Sequence, residues 1–175
     1  LIYINIGYGL VRAGRSQKEI REKVCRFIQL VGLEGYSEFY PDQLSGGMKQ
    51  RVALARVLVN EPDALLMDEP FAALDAMARA SMQSLLLDVW GTLPQTILFI
   101  THDVDEALIL SDRIYVMTAG PGSILEDVLV AFPRPRKLEI MATADFQAAK
   151  LKLVKLLERA RDGGRPLEII PNCPL

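Results

Sequence analysis

Leu44-Ser45-Gly46-Gly47-Met48-Lys49-Gln50-Arg51 is the stretch from which the rest of the chain is most readily interpreted. A serine followed by two glycines suits a helix start, where the hydroxyl caps one backbone N–H and the glycines leave others bare. Those groups sit at the positive end of the helix dipole and attract an anion. An ordinary serine cap followed by a flexible turn would use the same three residues. The helix that begins here is expected over 46–59 and is halted near Asn60-Glu61-Pro62.

Upstream, Ser16-Gln17-Lys18-Glu19 reads as a capping box, and Ile20, Val24, Phe27, Ile28 and Val31 follow at helical spacing. Gly32 fits the helix stop. The chain up to Asn60 therefore reads as entirely helical. Its character then changes. Ala64-Leu65-Leu66-Met67 is a short apolar run that ends in Asp68-Glu69-Pro70. Leu74, Ala78, Met82, Leu85, Leu86 and Val89 make a helix face, and Thr96-Ile97-Leu98-Phe99-Ile100 is a second apolar run, ending in Thr101-His102-Asp103. Asp103, Asp105 and Glu106 suit a helix N-terminus. Arg113-Ile114-Tyr115-Val116-Met117 reads as a third strand. Apolar strands alternating with helices predict an α/β fold whose parallel sheet is covered on both faces. A turn at Gly120-Pro121-Gly122, a hairpin strand over 124–132, an Arg134-Pro135-Arg136 linker, a helix over 144–160 and an irregular tail from Gly163 complete the expected order.

Composition narrows the function. The chain has 175 residues, 50% of them hydrophobic, enough for a substantial core. Its 20 Lys and Arg nearly balance 22 Asp and Glu, so no strong field draws nucleic acid or an anionic membrane. No apolar run nears the roughly 18 residues of a membrane span. Cys25 and Cys173 form neither a metal spacing nor a disulfide framework, and no signal peptide opens the chain. Trp90 and Tyr115 are expected to be core or half-buried, and Lys150, Lys152 and Lys155 to lie on a solvated helix side.

Ligands of parallel sheets collect at the carboxyl ends of the strands. Asp68 and Glu69 stand at such an end, Asp68 suited to hold Mg²⁺ through water and Glu69 to orient an attacking water. A solvated strand end with a helix-capping acid is the plain alternative. His102 is the only histidine in the chain. A lone histidine is often structural, but this one too follows an apolar strand.

The octet at 44–51 resembles the signature motif of ABC ATPases in its importer form, and other segments agree in the family's order. Leu65-Leu66-Met67-Asp68-Glu69-Pro70 resembles its Walker-B strand and catalytic glutamate, Ala73-Leu74-Asp75 its D-loop, and Thr101-His102-Asp103 its switch histidine. The resemblance runs from about Asn5 to Arg136. It implies a partial P-loop NTPase fold: a helical signature subdomain over 1–60, the C-terminal half of the α/β ATPase core over 61–136, and a C-terminal helical extension and tail over 137–175. It also implies catalytic roles for Glu69 and His102, with His102 on the γ-phosphate. ATP would be contacted by Ser45, Gly46, Gly47 and Asp75, the last in the D-loop that touches the opposite subunit, and Asp68 would serve Mg²⁺.

The family's phosphate loop reads Gly-x-x-x-x-Gly-Lys-Ser/Thr. No glycine in this chain is followed by lysine. Residues 1–10 already resemble the segment just after the family's magnesium-binding glutamine, and the first methionine is Met48. The phosphate loop, that glutamine and the adenine-stacking aromatic are thus expected upstream, and the chain by itself is expected to be inactive.

Residues 67–75 and 101–107, with Pro121-Gly122 and Arg134-Pro135-Arg136, resemble the nitrate, sulfonate and taurine importers, except that Ala72 stands where glycine is usual. Membership implies a head-to-tail dimer of ATPase subunits, transmembrane permeases, an extracytoplasmic substrate-binding protein, and a peripheral place on the cytoplasmic face of the inner membrane. A non-catalytic accessory protein and a soluble ABC ATPase acting on nucleic acid remain as alternatives. The near-neutral charge speaks against the second.

Overall fold

The computed structural model describes residues 1–93, 95–120 and 122–161. The tail expected to be irregular, Cys173 and Pro121 of the expected turn lie outside the described residues. The chain forms two compact units, Leu1–Ile100 and Thr101–Leu175.

The first unit opens with three helices, α1 (Ile2–Arg12), α2 (Gln17–Leu30) and α3 (Gly46–Leu58). The capping box forms as expected: Ser16 Oγ accepts from the Glu19 N–H at 3.3 Å, and the Glu19 carboxylate accepts from the Ser16 N–H at 3.0 Å. Ile20, Val24, Phe27 and Ile28 are the buried face of α2, and Gly32 ends it with φ +64°. α1 packs on both α2 and α3, and Ile2, Ile6 and Leu10 are buried, as are Val24, Phe27 and Val59. Each such side chain contributes about 1.5–3 kcal/mol by leaving water.

Beyond the helices, β1 (Ala64–Asp68) pairs in parallel with β2 (Thr96–Ile100), Ala64 opposite Thr96 and Asp68 opposite Ile100. Parallel strands need a crossover, supplied by α4 (Ala76–Thr92), with Met82, Leu86 and Val89 buried. Trp90 is half-buried and donates through Nε1 to the Gln95 carbonyl at 3.1 Å. Coverage differs from expectation. Among the described residues this sheet has two strands, and one face stays open: Leu66 is 75%, Leu98 55% and Ile100 52% exposed. Side chains alternate across a strand, so an unbroken apolar run does not reveal whether one face or both are covered.

In the second unit, Thr101 leads into α5 (Val104–Leu110), followed by the strands β3 (Arg113–Met117) and β4 (Ile124–Leu129) and the helix α6 (Ala144–Arg161). Here too the sequence-based expectation needs correction. β3 pairs antiparallel with β4 rather than joining the parallel sheet. The connection is short enough for a hairpin, closed by the Thr118 N–H on the Ser123 carbonyl at 2.9 Å. β4 ends at Leu129, short of the expected 132. Tyr115, expected to be core or half-buried, is 48% exposed, with the Arg113 guanidinium 6.0 Å from its ring centroid. Lys152 and Lys155 are solvated as expected, whereas Lys150 pairs with Asp105 at 2.7 Å.

Arg134 and Arg136 are a clamp rather than a loose linker. Arg134 donates to the Leu110 carbonyl at 2.8 Å, and Arg136 to the Ser111 carbonyl at 2.6 Å and the Ile109 carbonyl at 3.3 Å. Both meet the Asp112 carboxylate, at 2.8 and 3.2 Å. Two cations thus satisfy the free carbonyls at the negative end of α5. The hydrogen bond from Arg134 holds the Asp112 carboxyl below its ordinary range, while burial pushes Arg136 down.

A depressed carboxyl contributes stability above its unfolded pKa, near ~3.9 for aspartate, and loses it as pH falls towards the folded value. Asp112→Asn is therefore expected to lower the thermal midpoint at pH 7, with the gap to wild type narrowing below about pH 4. Thermal unfolding at both pH values checks this. An equal gap at the two would place the effect outside the ion pairs.

Candidate functional site

Ser45 is the N-cap of α3, its Oγ accepting from the Met48 N–H at 3.3 Å. One helix over, Asp75 is the N-cap of α4, its carboxylate accepting from the Ala78 N–H at 2.8 Å. The two helix starts lie side by side, and a Cβ placed on Gly47 would stand 3.6 Å from the Ala78 Cβ. Together they open on a cleft of about 410 Å³ whose lining includes Ser45, Gly46, Gly47, Arg51, Asp75 and Ser81. Ser45, Gly46 and Asp75 are exposed. The expected anion-attracting terminus and the expected D-loop acid are thus brought to one cleft.

The glycines there are informative. A Cβ added at Gly46 would meet nothing within 4 Å, so packing inside this chain does not demand glycine at that position. Close approach by a group from outside would demand it. Two aligned helix starts also favour negative charge at their shared mouth.

Asp68 closes β1 and Glu69 follows it, both exposed. The Glu69 N–H donates to the Ile100 carbonyl at 2.9 Å, carrying the ladder one residue past the strand. Glu69 takes φ +43°, the left-handed region, which is costly for any side chain with a Cβ. Such backbone is held only where its surroundings over-determine it, as functional residues often are. Among the described residues no group of three or more His, Cys, Asp or Glu forms a metal cluster. A lone exposed carboxylate such as Asp68 could serve a magnesium ion only together with water and a ligand's own oxygens.

His102 is exposed and belongs to the second unit, between Thr101 and the α5 cap. Thr101 Oγ1 donates to the buried Glu106 carboxylate at 2.8 Å and accepts from the Asp103 N–H at 3.0 Å. Asp103 in turn accepts from the N–H groups of Asp105 and Glu106 at 2.8 and 3.2 Å. The backbone on both sides of His102 is therefore pinned.

Two cleft residues carried no individual role in the sequence. Arg51 closes the signature octet but reads there as one more surface cation, and Ser81 sits among the small residues of α4. Only the fold shows that they meet, Arg51 Nη2 donating to Ser81 Oγ at 2.8 Å.

Comparison with known proteins agrees with this geometry. Residues 7–72 match a family model described as ABC transporter. The aliphatic sulfonates import ATP-binding protein of Bacillus cereus is 42% identical over 82% of this chain and 56% of its own length. The nitrate import ATP-binding protein of Synechocystis is 47% identical over 74% of this chain and 48% of its own length. The solved structure of cbiO1 from Clostridium perfringens, part of an ABC transporter complex, aligns with a TM-score of 0.68 and 28% identity, over 90% of this chain and 59% of that one. The chain spans about half the length of the curated relatives it matches.

The positive φ of Glu69 has a measurable consequence. With the carboxylate gone in both, Glu69→Gly is expected to be more stable than Glu69→Ala, by about 1 kcal/mol, because only glycine takes this backbone without penalty. Denaturant unfolding of the two variants checks it. An alanine variant as stable as the glycine one would mean that residue 69 is unstrained.

Proposed function

The chain belongs to the ABC transporter family, and from that premise we propose that it is most of an importer's ATP-hydrolysing subunit, working on ATP shared with a second copy. The observation that carries this proposal is the pair of helix starts, capped by Ser45 and Asp75, that open side by side on one exposed cleft. A helix terminus open at a subunit's surface can receive an anion that another subunit holds.

In the intact protein, Glu69 accepts a hydrogen bond from the attacking water and orients it, as a general base does. His102 contacts the γ-phosphate, and Asp68 serves the magnesium ion through water. Magnesium, when bound, neutralises charge on the phosphate oxygens. Ser45, Gly46 and Gly47 close over ATP held by the opposite, head-to-tail subunit, and Asp75 touches that subunit. ATP then joins two copies, and hydrolysis lets them part.

The phosphates need a grip that these residues do not supply. No glycine is followed by lysine, so the chain of 175 residues alone is proposed to be inactive. The proposed cargo is a small anion such as nitrate, a sulfonate or taurine, supported by what the named relatives import. Substrate choice would rest with permeases and an extracytoplasmic binding protein rather than with this subunit. No helix of the described residues is long and apolar enough to cross a membrane. Peripheral attachment to the permeases at the cytoplasmic face is the proposed location, by analogy with the named import ATP-binding proteins. A nucleic-acid partner is disfavoured by the near balance of 20 basic and 22 acidic residues.

Two measurements test this. The isolated chain is expected not to bind Mg-ATP at micromolar concentration in a calorimetric titration, and a micromolar Kd would refute the stated need for a phosphate loop. In the intact protein, Glu69→Gln is expected to lower turnover roughly 10²–10⁴-fold, the scale of a general base, while ATP binding persists. Half the wild-type turnover would remove Glu69 from that role.

A further inference from the structure

Arg51 joins three elements of the first unit. Its Nη1 donates to the Val31 carbonyl at the end of α2, at 2.8 Å, and its Nη2 donates to Ser81 Oγ on α4, also at 2.8 Å. Space for the guanidinium depends on Gly32, where an added Cβ would stand 2.9 Å from Nη1. Gly32 is thus needed twice, for its φ of +64° and for its missing side chain.

The positions of the two bridged residues matter. Arg51 lies six residues beyond the Ser45 cap, and Ser81 six residues beyond the Asp75 cap. At the rise of an α-helix, both are about 9 Å behind their own helix starts. Nearer the mouth the two helices run close, for a Cβ built on Gly47 would stand 3.6 Å from the Ala78 Cβ. The Arg51–Ser81 bond, at matched depth in both helices, ties α3 to α4 behind that close approach. A planar guanidinium suits this task because its donors diverge in fixed directions.

We infer that Arg51 is a positioning residue, whose bond to Ser81 sets the Ser45 and Asp75 helix starts in the one relative placement that can receive ATP from an opposite subunit. The inference deepens the shared-site proposal and rests on it. Arg51 touches no nucleotide in this account. It acts through the placement of Ser45 and Asp75, so its loss weakens ATP-driven pairing while each subunit's own hold on ATP persists.

The test uses the intact protein in a Glu69→Gln background, where slow turnover preserves ATP-bound dimers. Ser81→Ala removes a small exposed hydroxyl and Arg51→Lys keeps the charge, so neither is expected to prevent folding. Lysine, a single point donor, cannot serve both the Val31 carbonyl and Ser81. Each variant is expected to keep the single-subunit ATP affinity of its parent, with at most a small fall in thermal midpoint from the loss of one exposed hydrogen bond. ATP-driven dimerisation, measured by analytical ultracentrifugation, is expected to weaken roughly tenfold or more, beyond what that fall in stability accounts for. The double variant is expected to be no worse than the weaker single one, since both break one bond.

Ser45→Arg serves as the control. If it abolishes dimerisation while Ser81→Ala and Arg51→Lys pair like their parent, the positioning role is overturned and the shared site stands. A loss in either variant matched by an equal loss of thermal stability or of single-subunit ATP affinity overturns it as well, because the bond would then be merely structural. If Ser45→Arg itself pairs normally, the shared-site proposal fails and the positioning role falls with it.

Discussion

The parallel pairing of β1 with β2 is the constraint on which the rest of the first unit depends. Parallel neighbours cannot be joined by a hairpin, so the chain must leave the end of β1, cross the sheet in a helix and re-enter beside its starting point. That forces a turn directly after Asp68, and the turn puts Glu69 at φ +43°. It also forces a helix start soon afterwards, which Asp75 caps. The acidic strand end and the capped start of α4 are therefore two results of one topological requirement. Packing α3 against α4 then brings the Ser45 terminus to the same cleft.

Electrostatics gives this arrangement its chemical character. Each helix start carries partial positive charge from unpaired N–H groups, and here two of them point the same way with little side-chain bulk at their mouth. Asp75 offsets one of them from within the chain, through the Ala78 N–H. At the other, Ser45 contributes only a neutral hydroxyl, leaving that terminus free for an outside anion. In the second unit the order is reversed. There a helix's negative end is closed by Arg134 and Arg136, and the rigidity so gained lies in the short helix that follows His102.

Much of this was legible in the residues because local chemistry dictated it. The capping box at Ser16, the stop at Gly32, the start of α3 and both apolar strands need only short-range rules. What escaped the sequence was non-local. An apolar run such as Ala64 to Met67 reads alike whether one sheet face is covered or two, and the face bearing Leu66 proved open. Arg136 looked like part of a linker yet has a side chain only 1% exposed, because besides the nearby Phe132 carbonyl it reaches partners 24 to 27 positions away. Arg51 gained a role only when Val31 and Ser81 were seen to converge on it.

Whether the Ser45 terminus serves its own chain's nucleotide or another's is the central question. The most direct measurement is ATPase activity in two purified heterodimers of the intact protein. One pairs a Glu69→Gln subunit with a Ser45→Arg subunit, and the other pairs wild type with the Glu69→Gln/Ser45→Arg double variant. If the site is shared head-to-tail, the first heterodimer collects both lesions in one site and leaves the other whole, while the second has one lesion in each. Residual activity in the first and almost none in the second is the predicted result. The reverse order would contradict the account, because Ser45 and Glu69 would then act on the same ATP from a single chain.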